Sequence, residues 1–347
     1  MDSVILGVGT ATPPERLTQD QFSKYLPFTS DVAKRILMRD YIESRYLVLP
    51  NHASEMHESV KQLTEKHKST ALVVGSKAIQ SALEASKTSP TSVGLLCCVT
   101  STGFMCPSLS AELTPLCAFP QTCHRLDLVG LGCSGAVNGL NAVWSWLGRN
   151  PHSTAVLLSC EINSAMYATA PTVRNWLVNC LFGDGAGAIV VGSVDSASNQ
   201  RGPRILGFQS LLIPNYVNAM YFEWDELEER WRFHLSHDVA EVIGKNIAIP
   251  ITQILERFQL SRNDVRHWIV HSGGPAIVEN VSTALNLTEH HLRHTKSVLR
   301  EYGNLSSSSI IFSLQRLISE DIAFPGDHGL IIAMGPGTAI EVALIRW

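Results

Sequence analysis

Residues 126–147, LDLVGLGCSGAVNGLNAVWSWL, decide how the chain is read. They run from a short apolar strand through a Gly-rich bend straight into an amphipathic helix, with one cysteine, Cys133, at the junction. Val137, Leu140, Trp144 and Leu147 recur at helical spacing and Gly148 stands where such a helix stops, so Cys133 is expected at or near the first turn. A thiol placed there meets unpaired N–H groups and the positive end of the helix dipole, both of which favour a thiolate. Gly132 and Gly135 would let a substrate carbonyl approach the backbone closely. The competing reading is a thiol buried as a small hydrophobe.

The chain has 347 residues, 45% hydrophobic and 17% charged, enough for a large core in one large or two medium domains. A net charge of −4 without a run of Lys or Arg argues against nucleic acid as the main partner, and leaves room for a local basic patch facing a phosphate-bearing ligand. All eight cysteines lie between Cys97 and Cys180 with no Cys-x-x-Cys spacing, so neither a zinc site nor a redox pair is indicated and no metal is expected. The apolar run in MDSVILGVGT is too short for a signal peptide or a membrane span. With mostly free thiols, this gives the expectation of a reducing, cytoplasmic setting and no membrane partner.

Residues 4–8 read as a strand, and the GVGTATPPER that follows reads as a turn, since Gly7 and Gly9 lack the third glycine of a dinucleotide fingerprint. Lys34, Arg35, Arg39 and Arg45 form a basic cluster, at spacings that put several of them along one side of a helix, with a solvated helix face as the plain reading. Residues 70–86 read as a helix, VGLLCCVT (93–100) as a buried strand leading to the loop STGFMCPS, and residues 154–159 as another strand. Residues 181–192 read as a Gly-rich turn into a strand, and DSASNQRGP (195–203) as a linker. Beyond it the pattern recurs. Residues 267–270 lead to HSGGP as VGLLCCVT leads to STGF, and Gly326-Asp327 before GLIIAMG echoes Gly183-Asp184 before GAIVVG. The expectation is an α/β protein of two like halves, residues 1–195 and 203–347. The acidic residues 223–229 read as solvated surface.

A cysteine nucleophile needs a base and donors for a developing oxyanion. Two loops can supply them. His271 ends the apolar strand of HWIVHSGGP, and Asn304 follows Gly303 in REYGNLSSSSIIFSL ahead of a helix. A structural histidine and a helix cap are the plain alternatives. An imidazole and a carboxamide aimed at one thioester carbonyl would stabilise an enolate without adding a full charge.

Cys133 in GLGCSG, Phe182 in LFGDGAG, His271 in HSGGP, Asn304 in YGNLSS and the closing MGPGTAIEVALIRW resemble the type III polyketide synthases, the chalcone synthase-like members of the thiolase fold. The resemblance runs essentially end to end. The separations of 138 positions from Cys133 to His271 and 33 from His271 to Asn304 are similar to that family's. LCCVTSTGF, DLVGLGC, HWIVHSGG, VLREYGNLSSSS and TAIEVALIRW are most similar to a bacterial subgroup forming 3,5-dihydroxyphenyl products.

The resemblance implies an αβαβα layered thiolase-like fold of two duplicated halves, the first with the nucleophilic cysteine and the second with His271 and Asn304. It implies an acyltransferase that performs iterative decarboxylative Claisen condensation of malonyl-CoA on a Cys133-bound acyl thioester, followed by ring closure in secondary metabolism. No cofactor is implied beyond CoA thioesters as substrates, namely malonyl-CoA and an acyl thioester starter. Phe182 and Phe233 match paired gatekeeper positions, and Ser306 matches a further substrate-lining one. Arg35 and Arg39 match two cationic positions that hold CoA phosphates, while a third falls on Val32 with Lys34 nearby, so delivery by an acyl carrier protein is the alternative to CoA. Met166 and Trp224 stand where plant members have smaller cavity residues, and a smaller pocket with a small starter is expected. Cys106 stands where the family reaches across a homodimer interface. The alternative activity is a single condensation between acyl thioesters, giving an alkylresorcinol or a pyrone.

Overall fold

The structure, a computed structural model, describes residues 2–25, 41–170, 172–195, 202–226 and 228–347. Its strands are β1 (Asp2–Ala11), β2 (Arg16–Thr18), β3 (Ser44–Tyr46), β4 (Val93–Thr100), β5 (His124–Val129), β6 (Thr154–Glu161), β7 (Gly185–Val194), β8 (Arg204–Leu212), β9 (Met220–Asp225), β10 (Arg230–Leu235), β11 (Val265–Val270), β12 (His328–Gly335) and β13 (Ala339–Arg346). Nine of them form one mixed sheet in the order β11-β12-β13-β8-β1-β7-β6-β4-β5. Read outward from the β8–β1 seam, the order 1-7-6-4 on one side is matched by 8-13-12-11 on the other. The pairings match too: β1–β7 and β7–β6 are antiparallel and β6–β4 parallel, as β8–β13 and β13–β12 are antiparallel and β12–β11 parallel. The seam itself is short, joining only Ser3 to Ile205 and Val4 to Arg204. Two like half-sheets are thus fused along one edge.

Period-two alternation makes layers of this arrangement. On β12, Ile331 and Ala333 join a central core, while Leu330, Ile332 and Met334 join a second core on the opposite face. On β6, Ala155 and Leu157 face the central core, while Val156 and Leu158 face a third. The central core is filled by two helices, Gly135–Leu147 through Val137, Leu140, Val143 and Leu147, and Ser309–Glu320 through Ile310, Ile311, Leu314 and Leu317. The outer layers are the 27-residue helix Val60–Ser86 on the first half and the helices Val239–Asn246, Ala248–Arg257 and Pro275–Leu285 on the second. This is the αβαβα layering. Each large aliphatic side chain buried in the central layer contributes about 1.5–3 kcal/mol, so the two helices whose starts form the site are anchored by packing.

Several local expectations change. The helix expected over residues 70–86 begins at Val60, where Ser59 and Gln62 form a capping box. Gly7 and Gly9 lie inside β1 rather than in a turn, because a Cβ at Gly9 would collide with the backbone of Ala78 and Ala82 on that helix. The polar segment expected as a linker has residues 196–201 outside the described part, as are Val32, Lys34, Arg35 and Arg39. The acidic segment is not simply solvated. The Glu228 carboxylate is almost wholly buried and accepts hydrogen bonds from the Thr169 and Ala170 amides and the Thr169 hydroxyl, while Glu223 pairs with Arg232.

Candidate active site

Cys133 sits in a short 3-10 turn, Gly132–Ser134, immediately before the helix Gly135–Leu147. The flanking glycines are required by the backbone, and Gly132 also lines the cavity beside Cys133. Gly132 has φ +55°, and a Cβ there would strike the Pro336 ring, while Gly135 abuts Val99. Pro336 belongs to the Gly335-Pro336-Gly337 turn between β12 and β13, so the closing motif of the chain is a buttress for the cysteine turn.

The second half brings its own 3-10 turn, Ser306–Ser308, to the same place at the head of the other central helix. Asn304 Nδ2 donates to the Gly273 carbonyl at 3.2 Å and Asn304 Oδ1 accepts from the Ser306 amide at 2.8 Å, so both ends of the carboxamide are oriented. Gly273 is two residues beyond His271, which leaves β11 by donating its N–H to Ile332 O at 2.9 Å. The Cys133 thiol lies 3.5 Å from Ser306 Oγ, and the Asn304 side chain also reaches the sulfur. The tertiary structure therefore brings Cys133, Asn304 and Ser306 together, with the His271 loop tied to them through Gly273.

Electrostatics runs against the simple helix-dipole expectation. Burial pushes the Cys133 thiol up to about 12, Ser306 offsets part of this, and the Glu161 carboxylate raises it again. Burial likewise pushes His271 down to about 3, and its Nδ1 has no hydrogen-bond partner among the described residues. Burial thus disfavours the charged form of both the thiol and the imidazole. Desolvation outweighs the dipole because the turn lies at the centre of five layers.

Sequence reasoning missed Glu161. It ends β6, is wholly buried, and accepts from Ser101 N at 2.9 Å, Ser306 Oγ at 3.3 Å and Ser307 Oγ at 2.5 Å. Burial lifts its carboxyl to about 7 despite these donors. The signal was a carboxylate closing the otherwise apolar run TAVLLSC.

A cavity of ≈ 40 Å³ opens beside Cys133, with Ser101, Thr102 and Ser306 on its polar side and Met166, Phe182, Phe222 and Phe233 on its apolar side. Phe182 and Phe233 meet edge to face with centroids 5.8 Å apart, and Phe222 lies 5.2 Å from Phe233. Phe182 is also bridged to Asn304: Asn304 N–H donates to Leu181 O and Gly183 N–H to Asn304 O. Trp224 is a correction. It pairs with Trp231 toward the tip of the β9–β10 hairpin, is 41% exposed, and does not line this cavity; Phe222, one step nearer the hairpin base, occupies it instead.

Arg45 is a second correction. It lies on β3, wholly buried, not on a solvated helix face. Its guanidinium donates to the carbonyls of Asn179 and Phe182, to the Tyr167 hydroxyl and to Gln19, with its face over the Phe22 ring. It thereby caps the helix Val173–Leu181 and holds the Phe182 backbone.

With this geometry in view, the comparisons assign the class. The chain matches the family described as FAE1/Type III polyketide synthase-like protein over residues 17–259, and chalcone and stilbene synthases, C-terminal domain, over residues 209–347. It belongs to the type III polyketide synthases, condensing enzymes of the acyltransferase kind. Among individual proteins, it is 39% identical over 344 residues to a 3,5-dihydroxyphenylacetyl-CoA synthase of Amycolatopsis orientalis, covering 98% of this chain and 92% of that protein. Of solved structures, it is similar to 1,3,6,8-tetrahydroxynaphthalene synthase from Streptomyces coelicolor A3(2), with TM-score 0.90, 25% identity and 99% of both chains covered. It also shares the fold of PKS-I from the brown alga Ectocarpus siliculosus, with TM-score 0.92, 24% identity, and 99% and 98% of the two chains covered.

Proposed function

We propose that this polyketide synthase condenses malonyl-CoA units on Cys133 and closes the chain to a 3,5-dihydroxyphenyl or resorcinol-type ring. The observation that carries the reading is the convergence of the two 3-10 turns, which sets the Cys133 sulfur against Asn304 and Ser306 under the Phe182–Phe233 pair. Cys133 holds the acyl chain as a thioester. His271 and Asn304 donate to the thioester oxygen of malonyl-CoA; its carbon–carboxylate bond breaks, carbon dioxide leaves, and the electron pair becomes an enolate. The enolate carbon attacks the Cys133 thioester carbonyl, the new carbon–carbon bond forms, and the sulfur departs. Neutral His271 suits this role, since a hydrogen bond from an uncharged donor stabilises the enolate only as its charge develops.

The relative named 3,5-dihydroxyphenylacetyl-CoA synthase favours malonyl-CoA as sole building block. A second reading, an acyl-primed chain closing to an alkylresorcinol or pyrone, is favoured by a large apolar groove next to the cavity, lined by Ile42, Leu177, Leu181, Leu235 and Ile277. We assign CoA rather than a carrier protein as the delivering group, and a homodimer as the working form. Phe104, 78% exposed, with exposed Cys106, Leu116 and Val129 near the β5 edge, supports the dimer. No helix among the described residues is long and apolar enough to cross a membrane.

The test is mass spectrometry of products from purified protein given malonyl-CoA alone, then malonyl-CoA with a series of acyl-CoA or acyl-carrier thioesters. A dihydroxyphenylacetyl product from malonyl-CoA alone supports the first reading. Turnover only with an added acyl thioester shifts it to the second. Absence of carbon dioxide release under every condition overturns both.

A further inference from the structure

Residues 43–46 of the first half are tied to the second half beside the site. Glu43 N–H donates to Arg300 O at 2.7 Å and the Ser44 hydroxyl to Glu301 O at 2.9 Å, both on the helix Arg293–Tyr302. Tyr46 stacks on Tyr302 with centroids 5.6 Å apart, and its carbonyl accepts the Asp184 N–H at 2.8 Å. Between these ties, Arg45 turns its guanidinium toward residues 179–183, where Nη1 donates to Asn179 O at 2.5 Å and to Phe182 O at 2.7 Å. The Tyr167 hydroxyl accepts from the same Nη1 at 3.2 Å and itself donates to Phe182 O at 2.7 Å.

The segment that Arg45 grips is the one that holds Asn304. Leu181 O accepts the Asn304 N–H at 2.8 Å and Gly183 N–H donates to Asn304 O at 3.0 Å, a parallel bridge with Phe182 at its centre. Gly303 closes on the same side chain: its φ is +70°, and a Cβ there would lie 2.7 Å from Arg45 Cδ. Arg45 therefore meets Asn304 from two directions, through hydrogen bonds to the bridged segment and through contact with the glycine before it. A planar guanidinium fork serves these acceptors at once, whereas the compact ammonium of a lysine does not.

We propose that Arg45 is a positioning residue for Asn304: by fixing residues 181–183 and Gly303, it aims the carboxamide at the thioester oxygen of malonyl-CoA. The proposal rests on the enolate-stabilising role given to Asn304 above. Arg45 touches no reacting atom; it acts by geometry, and a misplacement of about 1 Å costs on the order of 10²-fold in rate. The cysteine turn is held by other contacts, Pro336 and the Ser101 hydroxyl that accepts the Gly132 N–H at 2.7 Å, so loading of Cys133 is governed separately.

The experiment compares wild type, Arg45→Lys, Tyr167→Phe and Asn304→Ala, and combines each of the first two substitutions with Asn304→Ala. Thermal melts identify the folded variants. Carbon dioxide release from carboxyl-labelled malonyl-CoA gives kcat and KM for decarboxylation, and intact-protein mass spectrometry gives acyl loading from acetyl-CoA. Expected for Arg45→Lys is a drop of about tenfold or more in kcat, with KM and loading changed less than about threefold. Tyr167→Phe leaves the guanidinium in place and gives a smaller drop of the same kind, so it carries the comparison even where Arg45→Lys does not fold. In the Asn304→Ala background both substitutions lose their effect on decarboxylation, because the group they position is gone. An unaltered kcat in the folded variants, parallel losses of loading and decarboxylation, or an undiminished effect in the Asn304→Ala background leaves Arg45 a packing role and overturns the proposal. A wild type that releases no carbon dioxide from malonyl-CoA is a separate result and brings down the polyketide reading instead.

Discussion

The two central helices occupy matching places in the two halves, yet their leading turns are built from opposite materials. The turn before Gly135–Leu147 is Gly132, Cys133 and a single serine, Ser134, with Gly132 in a left-handed bend against Pro336. The turn before Ser309–Glu320 is a run of buried serines, of which Ser306 also has positive φ, +52°, fixed by its N–H to Asn304 Oδ1. Ser307 and Ser308 hydrogen-bond to Ser159, and Ser306 and Ser307 to Glu161, on β6 of the first half. One architecture used twice thus yields a cysteine-bearing turn and a serine-built turn. A duplicated fold brings two helix starts to one point, and the side chains there are free to diverge.

Substitutions at the two turns should separate the steps most strongly. Cys133→Ala is expected to abolish acyl loading, read by intact-protein mass spectrometry, while malonyl-CoA decarboxylation persists in part. Asn304→Ala is expected to lower decarboxylation by about 10²–10³-fold, the usual cost of one oxyanion donor, with loading reduced far less. Equal loss of both steps in each variant would erase the distinction between the turns.

The next effect is on stability. Gly132→Ala places a Cβ in a left-handed bend against Pro336, and urea denaturation should show a loss of about 2–4 kcal/mol from backbone strain and overpacking. The same change at Gly148, whose φ is −60° at the far end of the helix, should be tolerated.

Acid sensitivity follows from buried histidines in both halves. His67 is pushed down to about 4 and His271 to about 3 by burial, from an ordinary 6.5. A depressed histidine stabilises the fold fully above its unfolded value; as pH falls below 6.5, the unfolded chain takes up a proton that the folded chain refuses. Stability should therefore fall from pH 6.5 toward 4, with His67 alone accounting for roughly 3 kcal/mol by the end of that range. Melting of His67→Gln should be measurably flatter over that window, and an equally steep curve would mean that other groups dominate.

The smallest effect is expected at Trp224. With its ring against Trp231 at the hairpin tip, Trp224→Ala should cost less than about 1 kcal/mol and leave product length unaltered. A changed product profile would place the hairpin tip at the reaction cavity after all.

Much of the framework was legible because apolar alternation and glycine punctuation are local. The strands at 93–100 and 154–159, the helix behind Cys133 and the recurrence of strand, loop and Gly-Asp turn could all be read from neighbouring residues. What failed depended on distant partners. Arg45 looked like one more cation in a basic cluster, since the carbonyls of Asn179 and Phe182 that bury it lie more than 130 positions away. Trp224 and Phe222 share one face of a ribbon, and only the fold decides which of them reaches the cavity.

By itself, then, the sequence determined the α/β class, its two like halves and the residues at the loops, because period and motif need only short windows, while the αβαβα layering came with the family resemblance. The tertiary structure alone decided the charge state of those residues and the shape of the space around them. Burial at the meeting of five layers pushes the Cys133 thiol up and the His271 imidazole down and lifts Glu161 to about 7. Desolvation depends on everything packed around a group, and no stretch of sequence contains that information.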